Sequence, residues 1–514
     1  MQRTNEVGYG WFSQLMGFVE QGPEHVRQKL VLEGTTVRSL VNGITLDCGW
    51  LEIPRLAELR ALSRALPDLG PSCVSEVVGD VSAIHRDPRN AGALMQAASQ
   101  FNLLEMVGPS VTPERGLGIY SNDKTQGPAC AIACGGGTIY RNYYAPVDGG
   151  IGQTADRQID CLADLGTALG GGHYTMRNGY ALASRAGLEA IGRRLADADA
   201  TTHEQLRGLL RIGIQHDVQV VETDHRVTQV YGSALPVAYS THALHLWEPF
   251  ARLVLEASYE ATLLAAAIWQ PAPVYLTLLG GGAFGNDDAW IEDAVVRAVE
   301  RVRGLDIRIV SYGGPKRAVS RILQRCQTRS RPQPGRTSHT HPIRVDTVEL
   351  PGGPPIGMTF APGKVQHNAQ TGSWRRSLEA DLARLSRHHR VDDLVCLIED
   401  HELDQLHIPN LAARCTAHGI TLHRLPIRDR HTPGQAELQS LLRELMGRQQ
   451  AGRRVVFHCM GGLGRAGTAA ACCLIETGMQ PEEAIRAVRT ARPGTIETSG
   501  QLAFVHGYSP AGAG

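Results

Sequence analysis

The run His458-Cys459-Met460-Gly461-Gly462-Leu463-Gly464-Arg465 separates a thiol from a guanidinium by five residues, three of them glycine. A free thiol with a pKa near ~8.5 is only a few per cent ionised at neutral pH, and a helix N-terminus beside an arginine favours the thiolate. Glycines let the intervening backbone curl until successive N–H groups face one anion. An arginine at this offset closes the ring and offers paired hydrogen bonds to phosphate oxygens. Such a set suits nucleophilic attack on a phosphate ester through a covalent phosphocysteine, which water then hydrolyses. A lone cysteine is more often a core residue and a lone glycine loop a plain turn. Here the chemical reading rests on their joint presence.

That loop needs a strand behind it and a helix ahead. Val455-Val456-Phe457 supplies the strand, and residues 469–475, closed by Gly478, supply the helix. Upstream, Leu378, Leu382 and Leu385 recur at helical spacing, residues 394–398 read as a buried strand and residues 420–427 as another. Leu438, Leu441, Leu442, Leu445 and Met446 mark one helix face. Such alternation predicts a mostly parallel sheet with helices on both faces.

H-C-x-x-G-x-x-R resembles the signature of the protein-tyrosine and dual-specificity phosphatase superfamily. A wider set is similar to the kinase-associated phosphatase (cyclin-dependent kinase inhibitor 3) family: Val348-Glu349-Leu350-Pro351, Ile408-Pro409-Asn410, the stretch from Leu425 to Pro433, the loop itself and Gln501. The resemblance implies Cys459 as nucleophile, with Arg465 and the backbone of Met460, Gly461, Gly462, Leu463 and Gly464 holding phosphate. It also implies Asp429, thirty residues before Cys459, as general acid and then base, and Gln501 as a water-orienting residue. Relatives commonly carry serine or threonine after the arginine, whereas this chain has Ala466. Hydrolysis of the intermediate is then slower, unless Thr468 substitutes. His458 is read as structural or tuning, His431 as a solvated loop residue, and Cys472 and Cys473 as small apolar packing residues.

The N-terminal half also reads as α/β. Residues 274–279 form a strand candidate, residues 280–285 a glycine loop, and Ile291, Ala294, Val295, Ala298, Val299 and Val302 a helix face before the strand candidate 307–310. Strand, glycine loop and helix in this order suit an anion-binding crossover. With Val78-Gly79-Asp80-Val81 and Ala98-Ser99-Gln100-Phe101-Asn102, these segments resemble a diverged macrodomain, a fold that binds ADP-ribose and related nucleotides. The resemblance implies Asp80 at the adenine amino group, Asn102 near the distal ribose, and Gly281, Gly282, Ala283, Phe284 and Gly285 around the diphosphate. Residues 161–269 exceed what a compact version would hold and are expected as a large insertion. A polar cluster over residues 122–128, with residues 135–138 and Tyr140-Arg141-Asn142, lines the same pocket or builds loops. His242 and His245 lack an accompanying carboxylate or cysteine set, so no metal is expected.

At 514 residues the chain suggests two to four domains at roughly 150 residues each. The basic, proline-bearing stretch 326–344 is expected as a linker between an α/β domain over 1–325 and a phosphatase domain over 345–514. Fifty-one basic residues balance fifty-one acidic ones, so no bulk field points to nucleic acid or an anionic membrane. The longest apolar run, residues 261–269, is too short for a membrane span. Eleven cysteines without paired spacing and an N-terminus without an apolar leader point to a reducing, cytoplasmic setting. The expected partners are a phosphorylated protein or small phosphorylated molecule and an ADP-ribose-type ligand, with no cofactor.

Overall fold

The computed structural model describes residues 10–510 apart from 65, 67–69, 270–272, 327–335 and 370–371. The chain divides into two compact units, Met1–Gln333 and Pro334–Gly514, each α/β.

The first unit is built on seven strands: β1 (Trp50–Glu52), β2 (Cys73–Val78), β3 (Leu94–Ala98), β4 (Gly213–Gln219), β5 (Arg226–Gly232), β6 (Val274–Leu276) and β7 (Asp306–Ser311). They lie in the order β1-β4-β5-β3-β6-β7-β2. The five from β5 to β2 run parallel, while β4 is antiparallel to both β5 and β1. Residues 161–269, expected as an insertion, supply β4 and β5 of this sheet as well as helices and a hairpin outside it. Sequence pattern hid these two strands because buried Gln215, His216, Thr228 and Gln229 interrupt their apolar run. The same region ends in α1 (Leu244–Trp269), whose apolar residues surround its axis and bury it. β6 ends at Leu276, three residues before the glycine loop begins at Gly280, and α2 (Asp288–Glu300) follows, with Asp287 Oδ1 accepting from Ala289 N as its N-cap.

The second unit holds β8 (Asp346–Val348), β9 (Ile356–Phe360), β10 (Asp393–Cys396), β11 (Thr421–Arg424) and β12 (Val455–Cys459), ordered β8-β9-β12-β10-β11. All neighbours are parallel except β8, which lies antiparallel on the edge. Every residue of the central β12 is buried, as a strand covered on both faces requires. Of the expected linker, residues 327–335 lie outside the described residues, and 336–344 pack onto this unit. Ile343 is buried in its core, Arg376 donates to His341 O at 2.6 Å and Thr359 Oγ1 to Arg344 O at 2.7 Å. Its polar composition misled because much of this packing is backbone carbonyls taking buried donors.

Candidate active site

Each of the four parallel strands of the second unit delivers one reactive or charged residue beyond its carboxyl end, where open α/β sheets place ligands. β12 ends on Cys459, β9 is followed by Lys364, β10 by Glu402 in helix α3 (Asp400–Gln405), and β11 by Asp429. Cys459 pairs in register with Phe360 and is 3% exposed. The loop then turns so that Gly462 N–H donates to Cys459 Sγ at 3.2 Å. Gly462 has φ +73°, and a Cβ there would lie 2.4 Å from Thr359 O, so only glycine fits. Gly462→Ala is expected to lower kcat/KM about 10²-fold, the scale of a 1 Å misplacement of a reacting group. Gly461→Ala, where a Cβ meets nothing within 4 Å, should keep a kcat/KM close to that of wild type.

Helix α4 (Gly464–Glu476) starts inside the loop, earlier than the apolar run 469–475, and brings its N-terminus beside Cys459. Arg465, almost wholly buried, is gripped from beyond the ends of two strands. Nη1 and Nη2 donate to the Glu402 carboxylate at 2.6 and 2.9 Å, and Nη1 also donates to Ile427 O at 2.9 Å. Burial opposes both charges, but the Arg465 bonds hold the Glu402 carboxyl below the usual carboxylate range, and Glu402 holds the guanidinium above its own. Sequence reasoning missed Glu402. Its only signal was the box Glu399-x-x-Glu402, in which Oε2 accepts from Glu399 N at 2.8 Å, and helix capping explains that equally well.

Asp429 lies 62% exposed with Oδ1 3.1 Å from Arg465 Nη2. Its loop turns at Arg430, whose φ is +63°, and His431 is exposed. Helix α5 (Ser499–His506) anchors that turn, Thr498 Oγ1 donating to Arg430 O at 3.4 Å and Gln501 Nε2 to His431 O at 3.3 Å. Gln501 is fully buried, and its Oε1 accepts from Glu497 N at 3.0 Å and Thr498 N at 3.3 Å. Both ends of the amide are thus engaged at the seam between the acid loop and the cysteine loop.

Not every loop N–H is open to an anion, since Gly464 N donates to Glu497 Oε2 at 2.8 Å. Thr468 Oγ1 donates to Gly464 O at 2.8 Å within its own helix, so it takes no visible part at the thiol, and buried Ala466 offers no hydroxyl. His458 is fully buried, and burial pushes its imidazole down to about 3, which keeps it neutral.

Lys364 also escaped sequence reasoning. It is 5% exposed, lies 4.8 Å from the Trp374 ring centre and donates from Nζ to Met460 O at 3.4 Å. Burial, then Arg376, pushes its ammonium down to about 8, against the pull of Cys459. The cation is present below that pH and lost above it. Lys364→Met is therefore expected to slow alkylation of Cys459 by iodoacetate about 10-fold at pH 7. It should also remove a fall in wild-type kcat/KM above pH 8, which Lys364→Arg should shift upward.

In the first unit, a cavity of about 500 Å³ opens beyond the carboxyl ends of the parallel strands. Gly281, Gly282, Ala283 and Phe284 line it, as do residues 123–128 of the polar cluster. Asp80 and Asn102 do not. Asp80 accepts from Ser82 N at 2.8 Å as a helix N-cap, and buried Asn102 donates to Gln158 Oε1 at 2.9 Å while accepting from Leu104 N at 3.2 Å. Arg141 and Asn142 are buried, His242 is half-buried and His245 exposed.

Residues 370–505 match a family model described as the Swiss Army Knife protein dual-specificity and tyrosine phosphatase domain, PTP-SAK. Residues 370–505 form a dual-specificity phosphatase domain. The phosphatase domain belongs to a class of phosphoric monoester hydrolases. It is 32% identical over 137 residues to cyclin-dependent kinase inhibitor 3 of Homo sapiens, a match covering 26% of this chain and 64% of that protein. To protein tyrosine phosphatase type IVA 3 of Bos taurus it is 37% identical over 94 residues, covering 18% of this chain and 54% of the relative. A crystal structure of kinase associated phosphatase with its catalytic cysteine changed to serine aligns at 29% identity and a TM-score of 0.30, covering 32% of this chain and 93% of that one. The chain thus spans less than two thirds of the length of the first curated relatives it matches. Among the described residues no helix is long and apolar enough to cross a membrane.

Proposed function

We propose that the protein hydrolyses phosphate monoesters of phosphotyrosine, phosphoserine or phosphothreonine through a phosphocysteine on Cys459. The observation that carries this reading is the convergence of Cys459, Arg465 and Asp429 at the carboxyl end of one sheet, with Asp429 3.1 Å from an arginine already fixed by Glu402. In this reading the Cys459 thiolate attacks phosphorus while Arg465 and the loop N–H groups bind the equatorial oxygens. Asp429 gives its proton to the departing oxygen and later takes one from the attacking water. Gln501 ties the acid loop to the backbone of Glu497 and Thr498, and orienting that water would require it to exchange a present bond. Steady-state phosphate release from p-nitrophenyl phosphate under reducing conditions tests the proposal, and no turnover by wild type would overturn it. Ala466 favours a second reading, in which the intermediate is slow to hydrolyse and the loop acts chiefly as a phosphate-capturing module.

For the first unit we infer a macrodomain-like role, binding ADP-ribose or a related nucleotide in the 500 Å³ cavity. Its support is the glycine loop 280–284 on the cavity wall. The structure gives the N–H groups of Gly282, Ala283 and Phe284 no acceptor among the described residues, and such runs of N–H suit a diphosphate. A phosphorylated ADP-ribose derivative would then suit the phosphatase domain as substrate. Calorimetry of the full chain with ADP-ribose tests this, and absent heat at millimolar ligand would count against it.

A further inference from the structure

One N–H of the cysteine loop is already held by an anion of the chain itself. The N–H groups of Gly461 and Leu463 have no acceptor among the described residues, whereas that of Gly464 donates to Glu497 Oε2 at 2.8 Å. Gly464 opens helix α4, whose first N–H groups have no partner inside the helix, so its N–H is one of the donors the loop can offer a phosphate oxygen. Glycine is needed there, since a Cβ would lie 2.5 Å from Glu497 Oε2. Glu497 is exposed, and its carboxylate has no ion-pair partner among the described residues.

The backbone behind Glu497 holds it against the loop. Ile496 is buried with φ +60°, a conformation that a β-branched residue rarely adopts. Strain of this kind persists only where the surroundings fix it, and it clusters at functional sites. Ile496 N donates to Leu463 O at 3.4 Å, Ile496 O accepts from Arg489 Nη2 at 3.2 Å, and Glu497 N donates to Gln501 Oε1 at 3.0 Å. A fixed main chain thus carries an exposed side chain whose one bond is to the loop.

We propose that Glu497 is a specificity-determining residue of the cysteine loop, an internal competitor that a phosphate must displace from Gly464 before it can take every donor of the loop. The proposal rests on the hydrolytic reading above and adds to it how the loop chooses among anions. A carboxylate and a phosphate dianion cannot share one N–H, because like charges in contact repel strongly where water is scarce. A doubly charged ester that also engages Arg465 has the interactions to replace the carboxylate, and singly charged anions do not. Released inorganic phosphate has lost the contacts of its carrier and is driven out as the carboxylate returns. Capping of helix α4 is the other role open to the same bond, and the two roles predict opposite effects of removing the charge.

Protection of Cys459 from iodoacetamide by inorganic phosphate, followed on the full chain by peptide mapping at pH 7, tests the proposal without requiring turnover. Alkylation confined to Cys459 shows that each variant is folded, the other cysteines being buried or half-buried. Glu497→Gln keeps an acceptor for Gly464 N and removes the charge. It is expected to lower the half-protecting phosphate concentration at least about 10-fold. Glu497→Asp keeps the charge but falls one methylene short of the N–H, and phosphate should protect it too at lower concentration than wild type. A helix cap alone predicts unchanged or weaker phosphate binding in both variants, and that result would overturn the proposal. So would a gain in Glu497→Gln with none in Glu497→Asp, since the charge would then act at a distance and not by occupying the N–H. The Ki of phosphate against p-nitrophenyl phosphate should fall by the same factor in Glu497→Gln. If phosphate protects wild type yet no substrate turns over, the hydrolytic reading fails while the alkylation series still decides the role of Glu497.

Discussion

Cys459→Ser is expected to lower phosphate release from p-nitrophenyl phosphate by at least about 10⁴-fold, because loss of the nucleophile in a catalytic set removes nearly the whole rate enhancement. Serine keeps the shape of the site, so the Gly462 N–H that donates to Cys459 Sγ at 3.2 Å finds a similar acceptor. Arg465 stays anchored on Glu402 and Ile427 O. Phosphate affinity should therefore survive while turnover vanishes. Phosphate as a competing ligand in calorimetry separates the two effects, and parallel loss of binding and turnover would mean that the substitution had disordered the loop.

Asp429→Asn is the second large effect, and its size depends on the leaving group. A general acid contributes about 10²- to 10⁴-fold where the departing oxygen needs a proton, and little where it leaves as a stable anion. The variant is expected to lose about 10²-fold or more in kcat/KM on alkyl phosphates such as phosphoserine peptides. Its loss on p-nitrophenyl phosphate should be smaller. Equal losses on both substrates would assign Asp429 a positioning role through its 3.1 Å contact with Arg465. The turn that presents Asp429 hangs from Thr498 and Gln501, so its rigidity depends on a helix seventy residues away in sequence from His431.

The reactive loop was legible because its residues are contiguous and each type has one chemical reason to be there. Cys459, three glycines and Arg465 specify a strand-to-helix loop, and the central strand β12 carries it as expected. The supporting residues were not legible, for they reach the site through two other strands. Glu402 looks like a helix cap and Lys364 like a surface lysine until the sheet brings both to the loop. In the first unit the glycine loop was found in place beside α2, but Asp80 and Asn102 turned out to cap and brace backbone. Their short motifs suit a turn as well as a ligand, and only the three-dimensional arrangement distinguishes the two. The strands β4 and β5 within residues 161–269 were not legible for a related reason, since strands with buried glutamine and histidine lack the apolar signature of a core.

In the proposed mechanism neither Ala466 nor Thr468, bonded to Gly464 O within its own helix, offers a hydroxyl to the thiol, so the phosphocysteine is expected to accumulate during turnover. Acid quenching of the wild-type chain during turnover of a radiolabelled phosphopeptide, followed by peptide mapping, examines that intermediate directly. Label on the peptide containing Cys459, absent from Cys459→Ser, is the predicted result. Turnover with no label on Cys459, or label on another residue, would contradict covalent catalysis at this loop.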